Sequence, residues 1–204
     1  YELTVYGHDE EGSLTSSLDG RFRTPPSPET TAPVRGVIVT CQGIGTTDHP
    51  QKGHRVYDDI LKAGPDFFVH TGDVVYYDND EGGLQPLSKN ATMARQRWNR
   101  MFAFEWNQEF HRHVSSYYLK DDHDTLKNDC WPGQTYGELT FNQGLAIFRE
   151  QVPSSPLPYR TFRWGRDLQI WLLEGRDYRT PNPEPDGPEK TLLGANQKAW
   201  LKKT

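Results

Sequence analysis

The sequence has little cysteine, no long apolar run and no excess of basic charge, and each absence argues against a class of protein. Only two cysteines occur in 204 residues, Cys41 and Cys130. Two are too few for a disulfide-stabilised scaffold, although a single bridge between them remains an alternative. No apolar run approaches the roughly 20 residues of a membrane-spanning helix. The formal net charge is −5, and Lys and Arg are not clustered, so we expect no specific nucleic-acid binding and no attraction to anionic membranes.

Apolar residues are also scarce, at 34% of the chain, whereas glycine and proline number 18 and 15. This composition predicts long polar loops over a modest core. Aromatic residues make up 12%, which argues against disorder because disordered segments contain few aromatics. No signal peptide precedes Tyr1, and the chain does not begin with Met, so we expect it to be processed or cut from a longer protein.

The first 33 residues have the pattern of a strand pair followed by a linker. Tyr1 to Tyr6 alternates as a β-strand does, and Gly20 to Thr24 is the expected partner strand. Two strands alone do not form a stable sheet, and Pro25 to Pro33 has the proline content of a linker. We therefore predict that residues 1–33 are the end of an immunoglobulin- or fibronectin-like β-sandwich plus a Pro-rich linker, followed by a second domain over residues 34–204.

The second domain begins with the order strand, helix, strand. Val34 to Thr40 is a short apolar run rich in β-branched residues, which predicts a buried strand. A helix is predicted from His54 to Ala63, with Val56 on its apolar face, and the next strand covers Asp66 to Thr71. This order predicts a βαβ unit with two parallel strands.

The rest of the chain alternates between helical and extended patterns. The predicted elements are a long helix over Ala91 to Phe110, a third strand over Ser115 to Lys120, a loop over Asn128 to Gln134, a helix over Phe141 to Glu150, an antiparallel pair formed by Tyr159 to Trp164 and Leu168 to Leu173, and a helix over Gly194 to Lys203.

Four predicted strands end in polar side chains of kinds that bind metals or phosphate. They are Cys41 after the first strand of the βαβ unit, Asp73 with Tyr76 after the second, Asp122 with His123 after the third, and Glu174 with Arg176 after the last. Ligands of open α/β sheets bind beyond the carboxyl ends of the strands. The sequence therefore predicts that these side chains, distant along the chain, converge on one rim.

The chemistry of these residue types favours phosphoryl transfer. Carboxylate, phenolate and thiolate form an anionic donor set for di- or trivalent cations, including ferric iron. A pair of metals can hold a phosphoryl group, a histidine can protonate the leaving oxygen, and arginine suits phosphate oxygens. Taken singly, each residue has an ordinary alternative: Cys41 as a small buried hydrophobe, Gly72-Asp73 as a turn, Tyr76 as core or surface, Asp121 to Asp124 as a solvated acidic loop, and Arg176 as a surface ion pair.

Five segments occur in the order seen in one family of phosphatases. They are Cys41-Gln42, His70-Thr71-Gly72-Asp73-Val74-Val75-Tyr76, Asp121-Asp122-His123-Asp124, Leu173-Glu174-Gly175-Arg176-Asp177-Tyr178-Arg179 and Leu193-Gly194-Ala195-Asn196-Gln197-Lys198-Ala199-Trp200-Leu201. From Val34 to its end, the chain resembles the PhoD-like alkaline phosphatase D family. Gly20 to Pro26 also resembles the exit from that family's N-terminal β-sandwich.

The resemblance implies a fold, a reaction and cofactors. The fold would be the calcineurin-like metallophosphatase fold, an α/β sandwich of two sheets built on a βαβ unit with flanking helices. The reaction would be metal-dependent hydrolysis of small phosphate mono- or diesters by a metal-activated hydroxide. The cofactors would be Fe³⁺ and Ca²⁺ or another divalent metal, and the protein would be secreted, periplasmic or at the cell surface.

The resemblance also implies a role for each matching residue. In these roles Cys41 and Tyr76 would bind the ferric ion, Asp73 would bridge both metals, Asp122 would bind the second metal with Asn128 as its rival, His123 would be the catalytic histidine, and Arg176 would lie in the substrate pocket.

The sequence departs from the family pattern at three places. Glu174 stands where the family commonly has Asp, which leaves open any ligand role there, and Lys120 stands where a Trp often precedes the Asp-Asp-His segment. The family's late Gly-Asp-x-His segment, which supplies further ligands, is absent, and the last histidine is His123. We therefore expect residues 34–204 to be the N-terminal portion of the metallophosphatase domain, which needs a C-terminal segment of the same protein.

A degenerate binding module is the alternative, since such a module would keep the fold without turnover. The Glu174 substitution favours this alternative. The intact set of Cys41, Asp73, Tyr76 and His123 argues against it.

Overall fold

The computed structural model describes residues 1–204. Its strands are β1 Glu2–His8, β2 Leu14–Arg21, β3 Gly36–Val39, β4 Phe67–His70, β5 Ser115–Tyr118, β6 Thr135–Tyr136, β7 Leu139–Thr140, β8 Arg160–Trp164 and β9 Leu168–Leu172. Its α-helices are α1 Val56–Ala63, α2 Ala91–Phe102, α3 Glu105–His111, α4 Phe141–Gln151 and α5 Gly194–Leu201. None of these helices is both long and apolar enough to cross a bilayer.

A three-stranded parallel sheet in the order β3-β4-β5 lies within residues 36–118. Gly36 of β3 pairs with Phe67 of β4, and Phe67 pairs with Ser115 of β5. The connection from β3 to β4 contains α1, so the predicted βαβ unit is confirmed. Because all three strands run the same way, their carboxyl ends lie at one edge of the sheet.

The two faces of β4 are buried against different layers, because side chains alternate along a strand. On one face, Phe67 and Val69 pack with Trp164 and Leu172 of the antiparallel pair β8–β9. On the other face, Phe68 packs with residues of α1 and α3. The result is a pair of sheets in contact with helices outside, which agrees with the predicted α/β sandwich.

The predicted apolar face of α1 is partly wrong. Val56 is 50% exposed, whereas Tyr57, the next residue, is buried against Phe68 and Phe110. The hydroxyl of Tyr57 donates to Gln42 over 2.6 Å. The buried face is thus set by an aromatic residue that the aliphatic pattern did not include.

The predicted long helix over Ala91 to Phe110 is wrong, because the structure has two helices there. The backbone of Phe104 is extended, with ψ of 133°, and it separates α2 from α3. The side chain of Phe104 is buried, and it lies so close to Gly53 that a Cβ at Gly53 would be 2.6 Å from the ring. Packing of the Phe104 side chain therefore interrupts the helix in a segment whose sequence pattern is helical throughout.

The N-terminal strands form a hairpin whose second strand differs from the prediction. Glu2 pairs with Arg21 in an antiparallel ladder, so the partner strand is Leu14–Arg21 and not Gly20 to Thr24. The hairpin contacts the rest of the chain where Arg112 donates to the carbonyl of Asp19 over 2.7 Å. Residues 22–35 contain neither helix nor strand. The assignment of residues 1–33 to a β-sandwich and linker stays a prediction.

Both cysteines are free thiols, so the alternative of a bridge between them is wrong. Cys41 is exposed at the end of β3, whereas Cys130 is fully buried in the main core cluster with Trp98 and Leu126.

Gly144 of α4 packs against the loop that follows β5, and this contact makes a testable prediction. A Cβ at Gly144 would lie 1.8 Å from the carbonyl oxygen of Thr125. Glycine to alanine in an open helix stabilises a protein by roughly 0.5–1 kcal/mol. We expect Gly144→Ala instead to destabilise by roughly 1–3 kcal/mol, as overpacking does, measured by urea or thermal unfolding.

Gly187→Ala is the matched control, because no atom lies within 4 Å of a Cβ built there. An unchanged or raised unfolding midpoint for Gly144→Ala would contradict the packing of α4 against Thr125.

Candidate active site

The loops that follow β3, β4 and β5 are joined to one another by hydrogen bonds. The amide of Cys41 donates to the carbonyl of Gly72 over 3.1 Å. The carboxylate of Asp124, which is fully buried, accepts from the amides of Val74 at 3.1 Å and Asp121 at 2.7 Å. These bonds hold the ends of all three parallel strands in one fixed group.

The backbone at this edge adopts conformations that most residues avoid. Cys41 and Asp73 have positive φ values of 55° and 56°, and Gly72 has 117°. A Cβ at Gly72 would lie 2.6 Å from the Cβ of Asp121, so glycine permits the close approach of two loops. Left-handed backbone at residues other than glycine is typical of functional sites.

Three of the predicted donors meet at the carboxylate of Asp73. The thiol of Cys41 and the hydroxyl of Tyr76 both lie 3.4 Å from its Oδ2. The other oxygen, Oδ1, is buried and has no hydrogen-bond partner. Such an unpaired buried oxygen is costly, and a cation would satisfy it.

A second group of donors extends from Asp73 across the rim. Ligand atoms of Asp73, Asp122 and His123 all lie within 4.8 Å of one another. Burial raises the pKa of Asp73, and the negative charges of Asp122 and Asp121 raise it further, against the influence of His123. Buried carboxylates that repel one another are the electrostatic surroundings that a metal ion relieves. The residues present therefore fit a metal centre.

Tyr76 contacts both groups of donors, through its hydroxyl to Asp73 and through its ring to His123. Burial and its neighbours Cys41 and Asp73 raise the pKa of its phenol far above the usual value. Its ring lies 4.5 Å from the ring of His123, measured between centroids. Because the phenol holds its proton so tightly here, only a strongly polarising cation would convert it to a phenolate ligand.

His123 is paired with a carboxylate that the sequence did not single out. Its Nδ1 lies 2.5 Å from Oδ1 of Asp78. Burial alone would lower the pKa of His123, but the hydrogen bond and charge of Asp78 outweigh it and hold that pKa above its usual value. Burial alone would raise the pKa of Asp78, yet its bonds with His123 and the amide of Asn128 keep it below the usual value. The pair thus favours a protonated imidazole.

The loop that carries Tyr76 and Asp78 is held by a buried arginine of α2. Arg97 is 4% exposed and donates to the carbonyls of Tyr76, Asn79 at 2.8 Å and Pro86 at 2.5 Å. Its guanidinium therefore satisfies three backbone acceptors of one irregular loop.

Asn128 was predicted as a rival metal ligand, and the structure places its exposed side chain elsewhere. Its side-chain amide donates to Asp129 over 3.3 Å, and its backbone amide donates to Asp78 over 2.7 Å. No hydrogen bond joins it to Asp73 or Asp122. Asp122 is buried, and its two oxygens accept from the amides of His123 at 3.1 Å and Asp129 at 2.5 Å.

Arg176 reaches the same rim from the end of β9. Its Nε lies 2.5 Å from Asp121, its Nη2 lies 3.4 Å from Asp122, and its Nη1 lies 3.8 Å from Asp129. Nη1 is buried and makes no hydrogen bond. The guanidinium is thus beside the metal-type donors, and one of its nitrogens has an unused hydrogen-bonding capacity.

Glu174, at the end of the same strand, lies outside this group of donors. Its carboxylate is 2% exposed and lies 2.5 Å from the ammonium of Lys120, which in turn lies 2.6 Å from Asp177. Burial raises the pKa of Glu174, and Asp177 adds to this while Lys120 opposes it. The two residues that depart from the family pattern, Lys120 and Glu174, are therefore in contact with each other.

The chain has a parallel sheet with β8–β9 packed against it. A carboxylate, a thiol, a phenol and a histidine cluster at the carboxyl edge of that sheet. Together these features define a protein of the metallophosphatase fold class. The family model of PhoD-like phosphatases matches residues 36–204, and the chain belongs to that family. No curated protein matches the sequence.

Two solved structures share the fold, and both are of longer chains. PhoD is 21% identical with a TM-score of 0.74, over 92% of this chain and 42% of that one. Purple acid phosphatase PPD1 from yellow lupin (Lupinus luteus) is 15% identical with a TM-score of 0.61, over 99% of this chain and 32% of that one. This chain thus spans less than half of either structure.

Proposed function

We propose that this chain supplies part of the active site of a metal-dependent phosphoric ester hydrolase. The observation that carries the proposal is the meeting of Asp73, Asp122 and His123 within 4.8 Å, with Cys41 and Tyr76 on the same carboxylate of Asp73. Family membership and the phosphatase neighbours support the same reaction class.

The donor types suggest which residue holds which metal. Cys41 and Tyr76, with Asp73, would hold a ferric ion, since thiolate and phenolate are good donors to iron. Asp73 would also reach the second metal with Asp122, where oxygen donors suit calcium or another divalent ion. When bound, such a pair neutralises phosphoryl charge and makes hydroxide available at neutral pH.

The remaining groups act on the substrate by position and charge. His123, whose protonated form is favoured by Asp78 at 2.5 Å, donates a proton to the leaving oxygen of the ester. Nη1 of Arg176, which makes no hydrogen bond and faces Asp129 at 3.8 Å, would turn from Asp129 to donate to a phosphate oxygen, while the other nitrogens stay with Asp121 and Asp122.

The donor count supports the further proposal that ligands from outside this chain complete the site. Cys41, Asp73, Tyr76 and Asp122 cannot fill two coordination shells, because calcium alone takes roughly six to eight oxygens. A small phosphate mono- or diester is the proposed substrate, and secretion to the periplasm or cell surface stays a prediction.

The iron assignment makes a spectroscopic prediction for the complete protein. We expect a visible charge-transfer band with ferric iron, and we expect Cys41→Ser to lose or shift it together with most activity, because serine replaces the thiolate donor. Cys130→Ala is the control for loss of the other thiol: Cys130 is buried in the core and its Sγ lies 3.5 Å from the backbone carbonyl of Asp122, so the change removes no proposed ligand atom and should leave the band in place. An unchanged spectrum and rate in Cys41→Ser would rule out the thiolate ligand.

Turnover itself decides between a hydrolase and a binding module. The assay is release of nitrophenol from nitrophenyl phosphate and its phosphodiester by the complete protein with iron and calcium. Binding of inorganic phosphate without any turnover would favour the degenerate module instead.

A further inference from the structure

A buried ion triad lies directly behind the candidate site. The ammonium of Lys120 lies 2.5 Å from Glu174 and 2.6 Å from Asp177, and the three side chains are 4%, 2% and 8% exposed. None of the three belongs to the group of metal-type donors. The proposed chemistry therefore leaves the function of this triad unassigned.

The triad connects the two loops that carry the site. Lys120 immediately precedes Asp121, Asp122 and His123. Glu174 accepts through Oε1 from the amides of Arg176 at 2.6 Å and Asp177 at 3.2 Å. One carboxylate oxygen thus holds the turn from which the side chain of Arg176 leaves, and the same oxygen faces the start of the acidic loop through its ion pair with Lys120.

The end of β9 has a separate anchor, so the triad is not needed to keep the strand in place. The side chain of Gln197 in α5 accepts from the amide of Glu174 and donates to its carbonyl, both at 2.8 Å. A buried ion pair is weak evidence of net stabilisation, because apolar residues of similar volume often do as well. The triad differs from Gln197 in that it fixes the direction in which the chain continues after Glu174.

That direction determines where the guanidinium of Arg176 lies. Its Nε is 2.5 Å from Asp121, the residue next to Lys120. The loops are thus joined twice, once behind the site through Lys120 and Glu174, and once at the rim through Asp121 and Arg176. We propose that Glu174, held by Lys120 and Asp177, is a positioning residue that orients Arg176 toward the phosphate group.

This inference rests on the proposed function only for the identity of what Arg176 binds. A change of 1 Å in the position of such a group can cost about 100-fold in rate. Partners that orient metal ligands typically contribute about 10- to 100-fold to affinity or activity, and we expect the same scale for a partner that orients a phosphate-binding arginine. We therefore expect a measurable effect from a change that leaves the rim itself intact.

Glu174→Gln is the test, because glutamine keeps the acceptor oxygen for the turn and removes the charge that faces Lys120. With the complete protein carrying iron and calcium, we expect Kd for inorganic phosphate and KM for nitrophenyl phosphate to rise about 10- to 100-fold. The value of kcat should change less, since lost binding that is equal in ground and transition states raises KM. Glu150→Gln is the matched control, because Glu150 pairs with Arg95 on the surface.

Two readouts separate positioning from a merely structural role. In an Arg176→Met background, Glu174→Gln should give no further rise in Kd, because residues that act through one group are not additive. The Nε–H resonance of Arg176, assigned as the one lost in Arg176→Met, should shift in Glu174→Gln and not in Glu150→Gln. An unmoved resonance, or a further loss in the Arg176→Met background, would overturn the proposal.

Failure of the proposed function would look different from failure of the positioning role. If the wild-type protein neither bound phosphate nor turned over esters, the phosphatase assignment would fall, while a shifted Arg176 resonance in Glu174→Gln would still support the orienting role of the triad.

Discussion

We expect the replacement of His123 with alanine to lower turnover by about 10²–10⁴-fold, the usual contribution of general acid–base catalysis. The physical reason is loss of the proposed proton donor, whose protonated form is favoured and oriented by the hydrogen bond of 2.5 Å to Asp78. The loss should be larger for alkyl phosphates than for nitrophenyl phosphate, because a good leaving group needs little protonation. Steady-state kinetics on both substrates, with metal content measured in parallel, check this prediction.

His113→Ala is the matched control, because His113 is partly exposed and lies beside Glu109, away from the group of donors. Equal losses on good and poor leaving groups would count against an acid role for His123. His123 also lies in the group of ligand atoms with Asp73 and Asp122. Loss of bound metal in His123→Ala would therefore assign it to the metal instead.

The contact between Asp78 and His123 predicts the direction in which the pH profile of activity should shift when Asp78 is replaced. Because Asp78 holds the pKa of His123 above its usual value, Asp78→Asn should lower that pKa. An acid works only below its pKa, so the alkaline limit of activity should move to lower pH in Asp78→Asn. An unchanged alkaline limit in Asp78→Asn would show that Asp78 does not control the pKa of the proton donor.

The rim could be predicted because each of its residues follows a strand signal. Asp73, Asp122 and His123 come directly after runs that pattern alone identifies as strands, and parallel strands end at one edge. The structure brings these three together, with Cys41 and Tyr76 on Asp73. Their roles toward metals stay predictions.

Asp78 and the buried triad were missed for different reasons. Asp78 lies in an irregular loop rich in Asp and Asn, where aspartate is ordinary turn chemistry and gives no signal of its own. Lys120 and Glu174 were each noticed as departures, but a single sequence does not show that two distant residues touch. Their contact depends on β5 and β9 belonging to different sheets that pack face to face.

The break between α2 and α3 was missed for a third reason. Periodicity describes one helix at a time, and Phe104 fits a continuous helical pattern. Its extended backbone follows from packing against Gly53, which lies far earlier in the chain. Tertiary contact overrides local preference at this position.

Asp73 is the residue on which the metal assignment depends most, and its backbone allows a clean test. Its φ of 56° lies in the left-handed region, where asparagine is as well tolerated as aspartate. Asp73→Asn therefore removes the charge without straining the turn. We expect weaker binding of iron and calcium and a loss of turnover of at least about 100-fold, since even indirect partners of metals contribute up to this much.

Stability separates loss of a metal ligand from loss of the fold. Burial and the neighbouring Asp122 raise the pKa of Asp73, so ionising this carboxyl costs more free energy in the folded, metal-free protein than in the unfolded chain. A neutral amide removes that repulsion, and metal-free Asp73→Asn should unfold at the same temperature as wild type or higher. Added metal should raise the unfolding midpoint of wild type, by mass action on the native state, and leave that of Asp73→Asn nearly unchanged. Asp58→Asn on the surface of α1, where Asp58 pairs with Lys62, should respond to metal as wild type does. An equal metal-induced shift in Asp73→Asn would show that the ions bind without this carboxylate.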